Sequence, residues 1–137
     1  MVDFQDSIAF MIAKTHQQSQ AMLKTQLKPF GLTPVQSLVL ESLRDAEGLS
    51  VGDVGRRLVL DTSTLAGVLD RMVTAGWIRR EVDTADARIA RIYRTEKAKQ
   101  ISVDLAKTLE HTNNELLKGF SLEEKLLFKR FLRDFYM

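Results

Sequence analysis

Between residues 50 and 95 the hydrophobic period of the chain changes from helical to alternating, and that change restricts the fold more than any other feature. Ser50 followed by Asp53 opens a short helix, because an oxygen at the cap satisfies orphan backbone N–H groups and a first-turn carboxylate complements the helix dipole. Its inward face is Val51, Val54 and Leu58. Only Val59 and Leu60 remain for a tight turn. Asp61-Thr62-Ser63-Thr64 then caps a second helix over residues 62–75, whose Leu65, Val68, Leu69, Met72 and Val73 recur at spacings of three and four as one buried stripe. Gly76 stops it, since glycine enters the left-handed conformation of a helix end without a Cβ penalty.

After Gly76 the period is two. Residues 77–82 and 88–94 read as strands around the polar turn 83–87, which makes a hairpin. Helix, tight turn, helix and hairpin in this order spell a winged helix-turn-helix, and the expected use of that unit is DNA binding. The hairpin holds Arg79, Arg80, Arg88, Arg91 and Arg94 against Glu81, Asp83 and Asp86, so the wing reads as cationic while the whole chain carries a formal net charge of only +2.

The ordered set of short motifs resembles the MarR family of bacterial transcriptional regulators. It comprises Gly31-Leu32-Thr33-Pro34-Val35-Gln36, Leu49-Ser50-Val51 with Val54, Asp61 with Ser63-Thr64, Leu69-Asp70-Arg71-Met72, Gly76-Trp77-Ile78-Arg79-Arg80, Asp86-x-Arg88 and Thr95-Glu96-Lys97. The resemblance is close over residues 31–98, and the flanking helices agree in length and place. It implies a ligand-responsive regulator that dimerises through interleaved terminal helices. Two departures stand out. The family often places larger polar residues where this chain has Ala66 and Gly67, and a basic residue where it has Ala87.

At 137 residues the chain suits a single domain with a core that needs no staples. The absence of cysteine removes disulfides, thiolate zinc sites and thiol-based redox sensing together. The longest early apolar run, Ile8 to Ala13, is far short of the roughly 20 residues a membrane span requires, so a cytoplasmic protein without membrane association is expected.

The predicted fold class is therefore mainly α, of the α+β winged-helix kind: a winged helix-turn-helix lobe over residues 33–95, with long dimerisation helices over 1–30 and 96–137. The first helix is expected from Phe4 to Leu27; Thr33 caps a second at Pro34, which carries Leu38, Val39 and Leu43. A long helix follows the wing from Thr95 to Lys118, with Ile101, Leu105, Leu109, Thr112 and Leu116 in register. Ser121-x-x-Glu124 is a capping box opening the last helix. In that helix Leu122, Leu126, Leu127, Phe128, Phe131, Leu132, Phe135 and Tyr136 spread beyond one stripe. A helix apolar on more than one side is buried in a larger core or against a partner, so a homodimer is expected, with Phe4, Ile8, Ile12, Leu122, Leu126, Phe131 and Phe135 at its interface. The competing explanation is an elaborate monomer core.

In a helix-turn-helix dimer the second helix enters the major groove, and twofold symmetry presents two copies to half-sites about 34 Å apart, which predicts a pseudo-palindromic operator. The candidate DNA-binding residues are Ser50, the recognition-helix residues Thr62, Ser63, Thr64, Ala66, Gly67 and Arg71, and Asp86, Arg88 and Arg91 of the wing. Arg88 leads, because an arginine at a hairpin tip can enter the narrow, electronegative minor groove of A·T-rich DNA, with Asp86 two residues earlier to orient it. Without the surrounding pattern the same pair would be a surface salt bridge worth about 0–1 kcal/mol. Arg56, Arg57, Arg79, Arg80 and Arg94 divide between phosphate contacts and solvated surface. Asp70 is placed to pair with an arginine of the wing base, and Trp77 reads as core.

The resemblance further implies a small phenolic or anionic effector bound between the dimerisation helices and the DNA-binding lobe. His16 and Gln20 on the first helix are the candidate ligands, against the commoner role of an interface histidine. No cofactor is expected. With His111 as the only other histidine and no cysteine, a zinc site is not expected either. No phosphate-binding glycine loop, His-Glu-x-x-His or nucleophile with its base is present, so the chain is not read as an enzyme. The leading function is a sequence-specific regulator of transcription, a repressor acting as a homodimer. The alternative is a winged-helix module that binds protein, since fold alone does not fix function.

Overall fold

Two caps, not one, start the chain. In the computed structural model, which describes residues 1 and 3–137, the Asp3 carboxylate accepts from the Gln5 amide over a single 3-10 turn, Phe4–Asp6. The Ser7 hydroxyl then accepts from the Phe10 amide and opens α1, Ile8–Leu27. The expected helix from Phe4 is thus broken at Ser7, because the extended backbone of that residue suits a cap and not a helix interior.

Gly31 ends the next 3-10 turn, and Thr33 with Gln36 forms a reciprocal capping box ahead of α2, Pro34–Leu43. Val39, Leu40 and Leu43 face the core, whereas Leu38 lies on the opposite side and is half exposed. A two-residue strand that the sequence did not announce, β1, Leu49–Ser50, leads into α3, Val51–Leu58, and the turn after it delivers α4, Thr62–Thr74. Leu65, Val68, Leu69 and Met72 of α4 are buried as expected; Val73 falls on the rim and is exposed.

The wing is built from β2, Ile78–Val82, and β3, Ala90–Arg94, paired antiparallel so that Ile78 faces Arg94 and Val82 faces Ala90. β1 joins on the other side of β3, with Leu49 opposite Ile92. Gly48, just before β1, has φ +82 and lies under the Tyr93 ring; a Cβ there would sit 3.0 Å from the Tyr93 hydroxyl oxygen. Both its backbone and its surroundings therefore require glycine.

Thr95 caps α5, Glu96–Leu116, and its hydroxyl also donates to the Gly76 carbonyl at 2.6 Å, tying the start of this long helix to the end of the recognition helix. The core runs through all of these elements, from Leu27 of α1 through Val54, Leu69 and Ile92 to Leu105 of α5. The last helix, α6, Leu122–Arg133, is opened by the Ser121 and Glu124 capping box and has no buried residue among the described ones.

Candidate nucleic-acid interface

At the start of α4 the Asp61 carboxylate accepts from the Thr64 amide at 2.7 Å and from the Ser63 hydroxyl at 2.8 Å. The Thr64 amide holds the Asp61 carboxyl below the ordinary carboxylate range, so the cap stays charged and the first turn stays fixed. Thr62, Ser63, Thr64, Ala66 and Arg71 are exposed on the outer face of this helix, and Gly67 is half-buried between them. That is a surface of short side chains crossed by one long cation, Arg71, whose guanidinium lies over Gly67.

The hairpin tip is organised by two aspartates. Asp83 Oδ2 accepts from the amides of Ala85 and Asp86, at 3.1 and 2.9 Å, while its Oδ1 accepts from Arg91 Nε at 2.6 Å. Asp86 in turn accepts from the Arg88 amide and, in a two-pronged contact, from Arg88 Nε and Nη2, all at 3.0 Å. The guanidinium holds the Asp86 carboxyl below its usual range, and Arg91 does the same for Asp83. Arg88 nevertheless remains 89% exposed, pre-oriented and projecting from the tip. Asp86 thus orients both the guanidinium of Arg88 and the backbone of the hairpin tip.

The cationic wing expected from the sequence is corrected to a neutralised one. Each of its arginines meets a carboxylate, two of them from outside the hairpin: Arg80 reaches Asp70 of α4 at 2.6 Å, and Arg94 reaches Glu47 at 2.6 Å. Arg79 pairs with Glu81 and lies over the Tyr93 ring. Arg91 also donates to the Gly48 carbonyl at 2.9 Å, which makes it a brace of the wing base, although it was expected at the DNA. Arg94 is only 11% exposed and also contacts Ser102 of α5. Nearer α3, Arg56 pairs with Asp53 and Arg57 with Asp45. Ser50 is occupied as the cap of α3, its hydroxyl accepting from the Asp53 amide at 3.1 Å; a shallow depression joins it to Arg88.

One positioning residue was overlooked. Lys97, in the first turn of α5, donates to the Ala75 carbonyl at 2.8 Å and lies 4.0 Å from the centre of the Trp77 ring. It satisfies an orphan carbonyl at the end of α4 and complements the dipole there. Its only signal in the sequence is the Thr95-Glu96-Lys97 motif.

The remaining candidates separate. His16 is exposed and Gln20 half-buried on α1, so neither is enclosed within the single chain. Phe4, Ile8, Ile12, Leu122, Leu126, Phe131 and Phe135 are all exposed, Phe135 to 69%.

A profile of the MarR family matches residues 30–89. The HTH-type transcriptional regulator TtmR of Methylorubrum extorquens is 38% identical over 94 residues, 69% of this chain and 47% of TtmR. The chain belongs to the MarR family. It spans about half the length of TtmR. A MarR variant from E. coli, complexed with operator DNA, has the same fold as this MarR-family chain at a TM-score of 0.88, with 23% identity over 99% of this chain and 100% of that one. Bordetella bronchiseptica BpsR, whose DNA binding is regulated by 6-hydroxynicotinic acid, gives a TM-score of 0.91 at 21% identity over 98% and 96% of the two chains. These relatives are regulators and not enzymes, and no helix among the described residues is long and apolar enough to cross a membrane.

Proposed function

We propose that this MarR-family protein is a cytoplasmic, sequence-specific repressor that binds double-stranded DNA as a homodimer at a pseudo-palindromic operator. The observation that carries the proposal is Arg88, locked to Asp86 at the end of a braced hairpin while its guanidinium stays open to solvent. A pre-oriented arginine loses little freedom on entering a minor groove, so it suits readout of groove shape. α4 supplies the companion surface for the major groove, the hydroxyls of Thr62, Ser63 and Thr64 with the guanidinium of Arg71.

Dimerisation is supported by the two ends of the chain. Leu122, Leu126, Phe131 and Phe135 on α6 and its extension, with Phe4, Ile8 and Ile12 at the amino terminus, expose large apolar side chains that a lone chain leaves in water. Burying them against a second copy sets the spacing of two recognition helices. An effector of phenolic or anionic character, held near His16 and Gln20 once the dimer covers them, would release DNA by favouring a dimer with a different spacing. The BpsR precedent supports such a response.

The experiment is selection of bound duplexes from a random pool, followed by titration of the enriched sequence at two salt concentrations. An inverted repeat whose affinity falls with salt is expected. Equal, weak binding to every duplex would replace this reading with that of a protein-binding winged helix.

A further inference from the structure

Residues 33–95 contain nine arginines and neither lysine nor histidine. Eight of those arginines are paired with carboxylates, and Arg71 is the one without a carboxylate partner among the described residues. It is exposed, and it is the only basic residue on α4.

Its neighbour explains its posture. Residues four apart on a helix lie one above the other on the same face, and side chains lean toward the amino terminus. Arg71 accordingly lies back over Gly67: a Cβ added to Gly67 would stand 3.6 Å from Nη1 and 3.8 Å from Nη2. The guanidinium itself, not the aliphatic stem, covers the glycine. Gly67 has no positive φ and no other atom within that range, so neither backbone conformation nor packing against the core accounts for a glycine there. Gly55 differs, since its Cβ would meet the Leu60 carbonyl at 3.2 Å. Gly52 of α3 lies in the same way under Arg56, with Nη1 and Nη2 at 3.6 and 3.7 Å, but that guanidinium is held by Asp53, whereas the one over Gly67 has no carboxylate partner among the described residues.

We infer that Arg71, seated over Gly67, is the side chain that reads a base in the major groove, and that the base is a guanine. This rests on the DNA-binding reading and adds the specificity-determining residue. Asp70, next in sequence, is occupied by Arg80, so it neither captures Arg71 nor presents an unpaired charge to the DNA. A planar fork of N–H donors matches guanine O6 and N7, the commonest specific contact in the major groove. The small side chains of Ala66 and Gly67 let the fork lie close to the helix axis, where longer residues would hold the base edge away.

The test is base-preference profiling of the wild-type dimer and of Arg71→Ala, Arg71→Lys and Gly67→Gln on the selected operator with every position varied. Arg71 and Gly67 lie outside the core, and thermal melts confirm folding. The expected result is a preference for G·C of about tenfold or more at one position per half-site. That preference is lost in both Arg71 variants and weakened in Gly67→Gln, with the rest of the profile unchanged. Arg71→Lys keeps the charge, so its failure isolates the fork. A uniform loss of affinity across all sequences, with the salt slope reduced by about one, would assign Arg71 to a phosphate and overturn the inference. An unchanged profile would also overturn it. Failure of the wild type to prefer any sequence would overturn both this inference and the regulator reading.

Discussion

Arg80 of β2 donates to Asp70 of α4 at 2.6 Å, so the first wing strand is fastened to the recognition helix across ten residues of chain. Both partners are substantially exposed, and such a pair contributes about 0–1 kcal/mol to stability. Its value lies in the angle it fixes between the wing and α4, the two elements proposed to contact DNA. Asp70→Asn and Arg80→Gln should each lower operator affinity by about tenfold or less while changing the free energy of unfolding by under about 1 kcal/mol. A double-mutant cycle on binding checks this: additive losses would mean that the two residues act independently.

At the wing tip, Arg88→Ala should weaken operator binding by about tenfold or more, with dimer mass and melting temperature nearly unchanged. Unchanged affinity would remove Arg88 from the interface.

The pH dependence of the wing follows from Asp83 and Asp86, both held below the ordinary carboxylate range, by Arg91 and Arg88 respectively. A depressed folded pKa means that the stabilisation is fully present above the unfolded value of about 3.9 and is lost as pH falls through the lower folded value. The Arg88 Nε–H resonance should therefore be constant from about pH 8 to pH 5 and move only below about pH 4. A titration of that resonance near neutrality would contradict the arrangement.

Val59 has φ 54 in the turn between α3 and α4, a left-handed conformation that a β-branched residue rarely adopts. Its side chain is exposed and contributes little packing. Val59→Asn should stabilise the fold by about 1 kcal/mol, read as a rise in the urea midpoint at constant slope. A destabilised variant would show that the strain is not relieved there.

Leu126→Glu places a charge on the exposed apolar face of α6. Sedimentation should show a dimer for the wild type and a monomer or unfolded chain for the variant. A folded wild-type monomer at micromolar concentration would end the interface argument.

Local chemistry made much of this structure legible from sequence. Asp61, Thr33 with Gln36, Ser121 with Glu124, and Gly76 each act within four residues of chain, so caps and stops fell where the residues put them. β1 was missed because a strand of two residues has no period to detect. Val73, assigned to the buried stripe of α4, lies on its rim because apolar character does not say which side of a helix faces the core. The electrostatics of the lobe were the least legible. Arg94 and Glu47 are 47 residues apart in sequence and meet only because the sheet brings β3 beside the turn after α2. Counting charges in the hairpin alone therefore gave a cationic wing where the fold builds a paired one.

The most direct measurement is a hydroxyl-radical footprint of the full chain on its selected operator, with the stoichiometry determined on the same complex. Two protein chains per duplex are expected, with protections related by a twofold axis, the two half-site centres about one helical turn apart and flanking minor-groove protection that disappears in Arg88→Ala. A single asymmetric protection, or none above that given by unrelated duplexes, would contradict that arrangement.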